Sequence, residues 1–172
     1  AVIYGANGSG KSNFIDAISF VKNLVSNSIN HQPGQGILQT PHKLDGYERK
    51  SNYKIQFIVD GIRYAFGFSL KNMLVVEEYL YYFPNGRQTK IFERVGEEYS
   101  AGRNFRNRFN SCKDVLKPNR LMLSCAANFS SVDEVIAEYH FFNDELVIYS
   151  SANQEHWMNY SLHQINANEK MK

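Results

Sequence analysis

Apolar residues recur along this chain with two different periods, and the change of period separates predicted helix from predicted strand. Between residues 11 and 26 they recur every three or four positions, which is the spacing of one face of an amphipathic helix. This stripe consists of Phe14, Ile18, Val21 and Val25, with Ala17 and Leu24 alongside. We therefore expect a helix over residues 11–26, a short buried strand over residues 1–4 before it, and a Pro- and Gly-containing loop over residues 30–41 after it.

The middle of the chain follows the two-residue period of a half-buried sheet. Residues 53–59 and 62–70 are alternating runs, and Asp60-Gly61 between them is a strong signal for a tight hairpin turn. Two further runs, residues 74–83 and 89–95, flank the turn Pro84-Asn85-Gly86. The pattern predicts a four-stranded antiparallel meander with one face buried.

The last third of the chain returns to helical spacing. We expect a weakly periodic polar helix over residues 104–116, a second short helix over residues 120–128 after Pro118, and a short strand over residues 145–149. Ser131-Val132-Asp133-Glu134 has the capping-box pattern that begins a helix. The apolar stripe of that helix comprises Val132, Val135, Ile136, Tyr139 and Phe142.

Composition places the chain among soluble globular proteins, because 43% of its 172 residues are hydrophobic and 21% are charged. The formal net charge of +2 says little about partners. No apolar run approaches the roughly 20 residues of a membrane span, and no leader of the secretory type is present, so we expect no membrane partner. Cys112 and Cys125 form no disulfide framework, which favours a reducing cytoplasm.

The strongest chemical signal is the pattern Gly-x-x-x-x-Gly-Lys-Ser between the first strand and the first helix. Bound phosphate needs several converging backbone N–H groups, a close backbone approach that glycine allows, and the positive end of a helix. Lys11 is expected to reach the β- and γ-phosphates, and the Ser12 hydroxyl to ligate Mg²⁺. The predicted nucleotide-binding residues are Gly5, Ala6, Asn7, Gly8, Ser9, Gly10, Lys11, Ser12 and Asn13, and the expected ligand is Mg²⁺-ATP.

The sequence around this loop, Gly-Ala-Asn-Gly-Ser-Gly-Lys-Ser-Asn-Phe-Ile-Asp-Ala-Ile, resembles the head of ABC-type ATPases of the structural-maintenance-of-chromosomes (SMC), RecF and OLD group. Diffuse similarity over most of residues 1–150 looks closest to stand-alone ATPases of bacterial anti-phage systems, including abortive-infection and retron-linked systems. The similar stretches are residues 42–45, 57–68, 77–84, 91–94 and 123–129.

The resemblance implies an α/β fold, namely the P-loop NTPase lobe of an ABC ATPase-like head with an antiparallel β-subdomain. Residues 1–150 would be the N-terminal lobe, and residues 151–172 the start of a following segment. Within the lobe, residues 1–30 hold the first strand, the phosphate loop and the first helix, residues 44–98 the β-subdomain, and residues 104–150 the helical part. Because the loop follows only four residues after Ala1, we expect the chain to be a fragment of a larger head domain.

The family also implies a glutamine that touches Mg²⁺ and the attacking water, in a loop after the β-subdomain. We expect this position in Ala126-Ala127-Asn128, where Asn128 stands instead. Asparagine keeps the amide but is one methylene shorter, so Asn128 is a second candidate metal ligand beside Ser12. An ordinary asparagine at a helix end is an equally good interpretation.

Hydrolysis in this group requires an apolar strand that ends in Asp-Glu, and no such end is evident. Asp60 is followed by Gly61 and fits the hairpin turn, and residues 146–149 are followed by two serines. The Ser-Gly-Gly-rich ABC signature is also absent, so no catalytic residue is assigned. We expect this chain to bind ATP without hydrolysing it and the full-length protein to be an ATPase, with two heads forming a homodimer as the resemblance implies.

Two weaker clusters have a functional and a structural interpretation. A basic stretch could contact a nucleic-acid backbone or a partner, or it could be a solvated face; it comprises Arg103, Arg106, Arg108, Lys113, Lys117 and Arg120. An aromatic run could stack bases, or it could pack in the core, which is the more common outcome; it comprises Tyr79, Tyr81, Tyr82 and Phe83. The five histidines have no metal-ligand spacing.

These observations favour the ATP-binding part of a nucleotide-gated sensor or scaffold in anti-phage defence, with a nuclease or toxin as effector partner. Three alternatives stay open. A DNA-repair or chromosome-maintenance head predicts long heptad segments, a P-loop kinase predicts an arginine-rich lid soon after the first helix, and a nucleotide-binding scaffold would never hydrolyse ATP.

Overall fold

The computed structural model describes residues 4–6, 8–40 and 46–148. By its internal contacts the chain divides into two compact units. The smaller unit combines residues 1–19 with residues 147–172, and the larger unit spans residues 20–146. The expected strand over residues 1–4 lies outside the described residues except for Tyr4, which has no regular structure, and the segments 42–45 and 151–172 also lie outside them.

The regular elements occur in the order helix, sheet, helices, as the sequence predicts. Helix α1 spans Lys11–Asn27, which confirms the predicted helix over residues 11–26. The strands are β1 (Ser51–Val59), β2 (Ile62–Lys71), β3 (Leu74–Tyr82), β4 (Thr89–Val95) and β5 (Glu98–Ala101). Helices α2 (Met122–Phe129) and α3 (Asp133–His140) follow, and a π-helical turn over Phe141–Glu145 continues α3.

The five strands form one antiparallel meander in the order β1-β2-β3-β4-β5. The predicted hairpin turn between β1 and β2 is confirmed, with positive φ at both Asp60 (49°) and Gly61 (76°). Strand β5 was not predicted, since it is only four residues long and follows the short turn at Gly96 and Glu97. The predicted four-stranded meander therefore has one additional edge strand.

One face of the sheet packs against the helices and forms the hydrophobic core of the larger unit. The sheet contributes four buried side chains to this core, namely Phe66, Phe68, Leu80 and Phe92. The helices contribute the apolar side chains Val21, Leu24, Val25, Met122, Leu123, Val135 and Phe142. Val21, Leu24, Val25, Val135 and Phe142 belong to the apolar stripes predicted from the helical spacing, and their burial removes them from water. Phe14, also predicted in the stripe of α1, is 53% exposed instead.

Strand β2 departs from the expected one-sided burial. Its core-facing residues are buried, but so are Ala65, Gly67 and Ser69 on the opposite face. The reason is the neighbouring strand, because a Cβ on Gly67 would lie only 2.6 Å from the ring atoms of Tyr79. The small side chains of β2 are thus covered by larger side chains of β3, so the prediction of a single buried face is wrong for this strand.

The helix predicted over residues 104–116 is not formed. Two short 3₁₀ turns, Arg103–Phe105 and Asn110–Cys112, occupy this segment instead. Asn107 adopts a positive φ of 63°, which no α-helix accommodates. Phe105 and Phe109 are both buried, so core packing of two aromatic rings overrides the weak helical propensity of this polar segment.

Two smaller expectations about the C-terminal helices are also wrong. The capping box is absent, because Val132 precedes α3 without a side-chain capping hydrogen bond. Residues 146–148 form no strand, and Tyr149 lies outside the described residues. The second short helix is confirmed as α2, although it begins at Met122, two residues later than predicted.

Candidate functional site

The glycine-rich loop precedes α1 in the smaller unit. Gly8 and Gly10 adopt φ values of 79° and 87°, in the left-handed region that favours glycine. A Cβ on either glycine would meet no atom within 4 Å, so the backbone conformation and not the available space requires glycine here. The Ser9 N–H donates to Ala6 O at 3.2 Å, which closes a tight turn within the loop. Asn7, also predicted to bind nucleotide, lies outside the described residues.

Lys11 is folded back onto this loop. Its ammonium group donates to Gly5 O and to Ala6 O, both at 2.6 Å, and lies 3.3 Å from Ser9 Oγ. These partners are neutral, and the hydrogen bonds are exposed to solvent. No carboxylate of the described residues pairs with Lys11, so the loop holds this positive charge against its own carbonyl groups, within reach of an anion that binds there.

The start of α1 adds unpaired backbone donors to the same place. Phe14 N–H donates to Gly10 O at 3.0 Å, which is the first α-helical hydrogen bond at this end. The N–H groups of Lys11, Ser12 and Asn13 precede it, so they have no intrahelical acceptor. No acidic side chain lies in the first turn of α1, and Ser12 and Asn13 are exposed. A phosphate group fits this arrangement of glycine turns, lysine and free helix donors.

Asn128, the second candidate metal ligand, lies near the C-terminal end of α2 in the larger unit. Its side-chain amide donates to Ser124 O at 2.8 Å, one helical turn earlier. This contact is the one expected of a helix-terminal asparagine. Ser12 belongs to the smaller unit, so joint metal binding by Ser12 and Asn128 stays a prediction.

The six basic residues of the stretch 103–120 have different environments. The Arg120 guanidinium donates to the backbone carbonyls of His31 and Val115, so it holds two loops together. Arg108 donates to Ser131 O at 2.5 Å. Arg103, Arg106 and Lys113 are exposed, and Lys117 is half-buried with its carbonyl accepting from Arg94. Arg106 and Lys113 line a shallow cavity of about 520 Å³ beside β5.

The aromatic run of β3 is divided between the two faces of the sheet. Tyr82 lies on the core face, where its ring packs edge-on against Phe105 at 5.8 Å between centroids. Tyr79 and Tyr81 lie on the opposite face, with ring centroids 5.2 Å apart. Core packing, the expected role, is therefore correct for Tyr82 alone among these three tyrosines.

The remaining candidate groups have structural contacts. Of the described histidines, His31 lies 2.8 Å from Asn119 O, and His140 pairs with Asp144 at 2.6 Å. The described residues contain no cluster of three or more His, Cys, Asp or Glu side chains that could hold a metal ion. Among them there is also no helix with the length and apolar character needed to cross a membrane.

Sequence reasoning missed a buried carboxyl group in α3. Glu138 is fully buried, and neither of its carboxyl oxygens has a hydrogen-bond partner among the described residues. Burial raises the pKa of Glu138 well above its ordinary value, and the nearby Glu78 carboxyl raises it further. The helical stripe could have signalled this position, since Val135, Glu138 and Phe142 lie on one helix face.

Residues 1–120 match a family of AAA domains that is named for AbiEii-type toxins of type IV toxin–antitoxin systems. The match covers more than half of the 172 residues, and the chain belongs to this family. AAA domains are ATPase-type nucleotide-binding domains, and the family links the chain to abortive infection. No curated protein and no solved structure matches the chain.

Proposed function

We propose that this chain is the ATP-binding part of an ABC-type ATPase head, and that the phosphate loop before α1 is its nucleotide site. The observation that carries the proposal is the position of Lys11, whose ammonium group lies on Gly5 O and Ala6 O at the start of a helix with free N–H donors. An incoming polyphosphate offers this ammonium group a charged partner in place of two neutral carbonyls, which strengthens the interaction.

The residues of this site fit a nucleotide with its metal ion. Lys11 would contact the phosphates, and the exposed Ser12 hydroxyl would ligate Mg²⁺. Mg²⁺ supplies positive charge that neutralises the phosphates when it is bound. Asn128 is proposed as a further ligand, since its amide oxygen accepts no hydrogen bond from a described residue.

In the cell, we propose a role as a nucleotide-gated sensor or scaffold in a larger complex of bacterial anti-phage defence. The family supports this role, because it is named for toxins linked to abortive infection. In this proposal the heads form a homodimer in the cytoplasm, an effector such as a nuclease or toxin responds to nucleotide binding, and the full-length protein hydrolyses ATP.

Nucleotide binding is the direct test. The affinity of the 172-residue chain for a fluorescent ATP analogue should fall at least about tenfold in Lys11→Ala, because a charge-assisted contact to phosphate is lost. Ser12→Ala should weaken binding only when Mg²⁺ is present. Lys71→Ala, which removes an exposed lysine at the end of β2, is the matched control and should bind as the parent chain does. Equal affinity of Lys11→Ala and the control would refute the site.

ATP turnover by the full-length protein separates the remaining roles. Turnover that is lost in Lys11→Ala supports an ATPase head, whereas tight ATP binding without turnover supports a scaffold that never hydrolyses. Duplex DNA added to the same assay tests the proposed contact through the basic stretch. Arg103, Arg106 and Lys113 are exposed, so the variant in which all three are alanine should lose any stimulation by DNA.

A further inference from the structure

Strand β3 presents a row of aromatic side chains on the face of the sheet that lies opposite the core. Tyr79 and Tyr81 are alternate residues of β3, and Phe83 follows in the same alternation directly after the strand. All three side chains are half-buried, so part of each ring remains accessible to solvent. We call these three residues, with the sheet surface beneath them, the outer aromatic face.

Small residues on the neighbouring strand allow the rings to lie down on the sheet. Gly67 is directly opposite Tyr79, and Ala65 is directly opposite Tyr81. The Tyr79 ring extends over Gly67 so closely that a Cβ there would lie 2.6 Å from its ζ-carbon and hydroxyl oxygen. Both residues of β2 are buried beneath this layer. The aromatic side chains therefore cover the sheet and do not project from it.

The side chains around the rings carry a surplus of positive charge. Glu77 pairs with Lys50 at 2.5 Å, and Glu93 pairs with Lys90 at 2.9 Å, so both carboxylates are compensated. Two further cations of this face, Lys54 and Arg63, are exposed.

Two contacts hold side chains of the outer aromatic face in place. The Tyr81 hydroxyl donates to Glu93, and burial followed by this hydrogen bond raises the pKa of Tyr81 to about 12, so it stays a neutral donor. The Arg63 guanidinium carbon lies 3.9 Å from the Phe83 ring centroid in a cation–π contact.

From these contacts we propose that the outer aromatic face binds single-stranded nucleic acid. Bases stack on the exposed sides of Tyr79, Tyr81 and Phe83, and the phosphates between them contact Lys54 and Arg63. Partly exposed rings on a sheet surface, flanked by cations, provide the two contacts that such strands need. This nucleic-acid binding does not depend on nucleotide binding at the phosphate loop, because every residue of the outer aromatic face lies in the larger unit.

The spacing of the rings selects an unpaired strand over a duplex. The ring centroids of Tyr79 and Tyr81 are 5.2 Å apart, whereas stacked bases within a duplex are about 3.4 Å apart. Successive bases can meet successive rings only if they are unstacked, as in single strands.

The test is fluorescence anisotropy of labelled oligonucleotides on the order of 10 nucleotides long, as single-stranded DNA, single-stranded RNA and duplex DNA. The 172-residue chain should bind one or both single strands more tightly than the duplex. Tyr79→Leu and Tyr81→Leu should each weaken single-strand binding roughly fivefold or more, because each removes a stacking surface. Tyr79→Phe and Tyr81→Phe keep the ring and should retain the parent affinity.

The leucine variants preserve apolar cover over β2, so their circular dichroism and urea midpoints indicate whether the sheet is intact. If folded leucine variants bind as tightly as the parent chain, the rings are only a structural cover and the proposal is wrong. Preference for duplex DNA, or loss of binding in Arg106→Ala/Lys113→Ala instead, would move nucleic-acid contact to the basic stretch and equally overturn it. Lys11→Ala should leave this binding unchanged, which separates it from the nucleotide site.

Discussion

The Arg94 guanidinium lies 3.4 Å from the Glu78 carboxylate, and both side chains are completely buried between the sheet and α2. Glu78 also accepts hydrogen bonds from the Met122 and Leu123 N–H groups at 2.6 and 2.9 Å, which satisfies two free donors at the start of α2. Arg94 donates to Gly96 O, Lys117 O and Arg120 O. The pair therefore connects β3 and β4 to the segment that leads into α2.

Breaking this pair should strongly destabilise the protein. Arg94→Met leaves a buried carboxylate without its cation and three carbonyls without a donor, so we expect a loss of about 3 to 5 kcal/mol in the free energy of unfolding, measured by urea denaturation. The double variant Glu78→Gln/Arg94→Met should lose less than the sum of the single variants, because neither charge remains buried alone. Additive losses would show that the two residues act independently.

Glu138 should make stability depend on pH. Its pKa is raised above the ordinary value of 4.5, so the folded state holds this proton more tightly than the unfolded state does. The contribution of this proton to the free energy of unfolding is complete below the pKa of Glu138 in the unfolded state. It is lost as the pH rises through the pKa of Glu138 in the folded state. Burial, followed by the nearby Glu134 and Glu138 carboxyl groups, raises the pKa of Tyr64 to about 12, so Tyr64 stays neutral in this range.

Glu138→Gln isolates this effect, since glutamine has a similar shape and does not titrate. Between about pH 5 and about pH 8, the urea midpoint of the parent chain should fall relative to that of the variant. Glu145→Gln is a suitable control, because Glu145 is an exposed carboxyl group in the turn that continues the same helix. Parallel pH profiles for parent and Glu138→Gln would contradict a neutral buried acid.

Gly102 should tolerate no side chain. A Cβ at this position would lie 1.8 Å from Lys90 O, a backbone atom that cannot rotate away, and Gly102 N–H donates to Ile91 O at 2.9 Å. Gly102→Ala should therefore lower the free energy of unfolding by more than about 2 kcal/mol, because the new methyl group would force β4 away from the turn that follows β5. Gly34→Ala, where φ is 79° but no atom lies within 4 Å, should cost only about 1 kcal/mol.

Gly8→Ala and Gly10→Ala test the phosphate loop without removing its charge. Both positions have positive φ, so alanine shifts the loop backbone away from the conformation it now adopts. Affinity for the ATP analogue should fall, while the urea midpoint of the larger unit should stay unchanged. Isothermal titration calorimetry with ATP and Mg²⁺ measures the first quantity, and unchanged affinity in both variants would show that the loop conformation is not required.

Elements with strong local signals could be predicted correctly from the amino-acid sequence. The helical period gave α1 to within one residue of its end, Asp60-Gly61 placed the first hairpin, and the phosphate-loop pattern located glycines that adopt positive φ. Each of these signals depends on backbone preferences of adjacent residues or on a simple repeat, so no distant contact is needed to interpret them.

The positions of the polar and aromatic side chains of the sheet, in contrast, depend on how the strands and helices pack together. Glu78 and Arg94 are ordinary charged residues in the sequence, and only the alignment of β3 with β4 and the approach of α2 makes them a buried pair. Packing of Phe105 and Phe109 replaced a predicted helix by turns, and Gly67 on β2 determined how Tyr79 lies on the outer face. These outcomes depend on contacts between residues far apart in the chain, which no local pattern encodes.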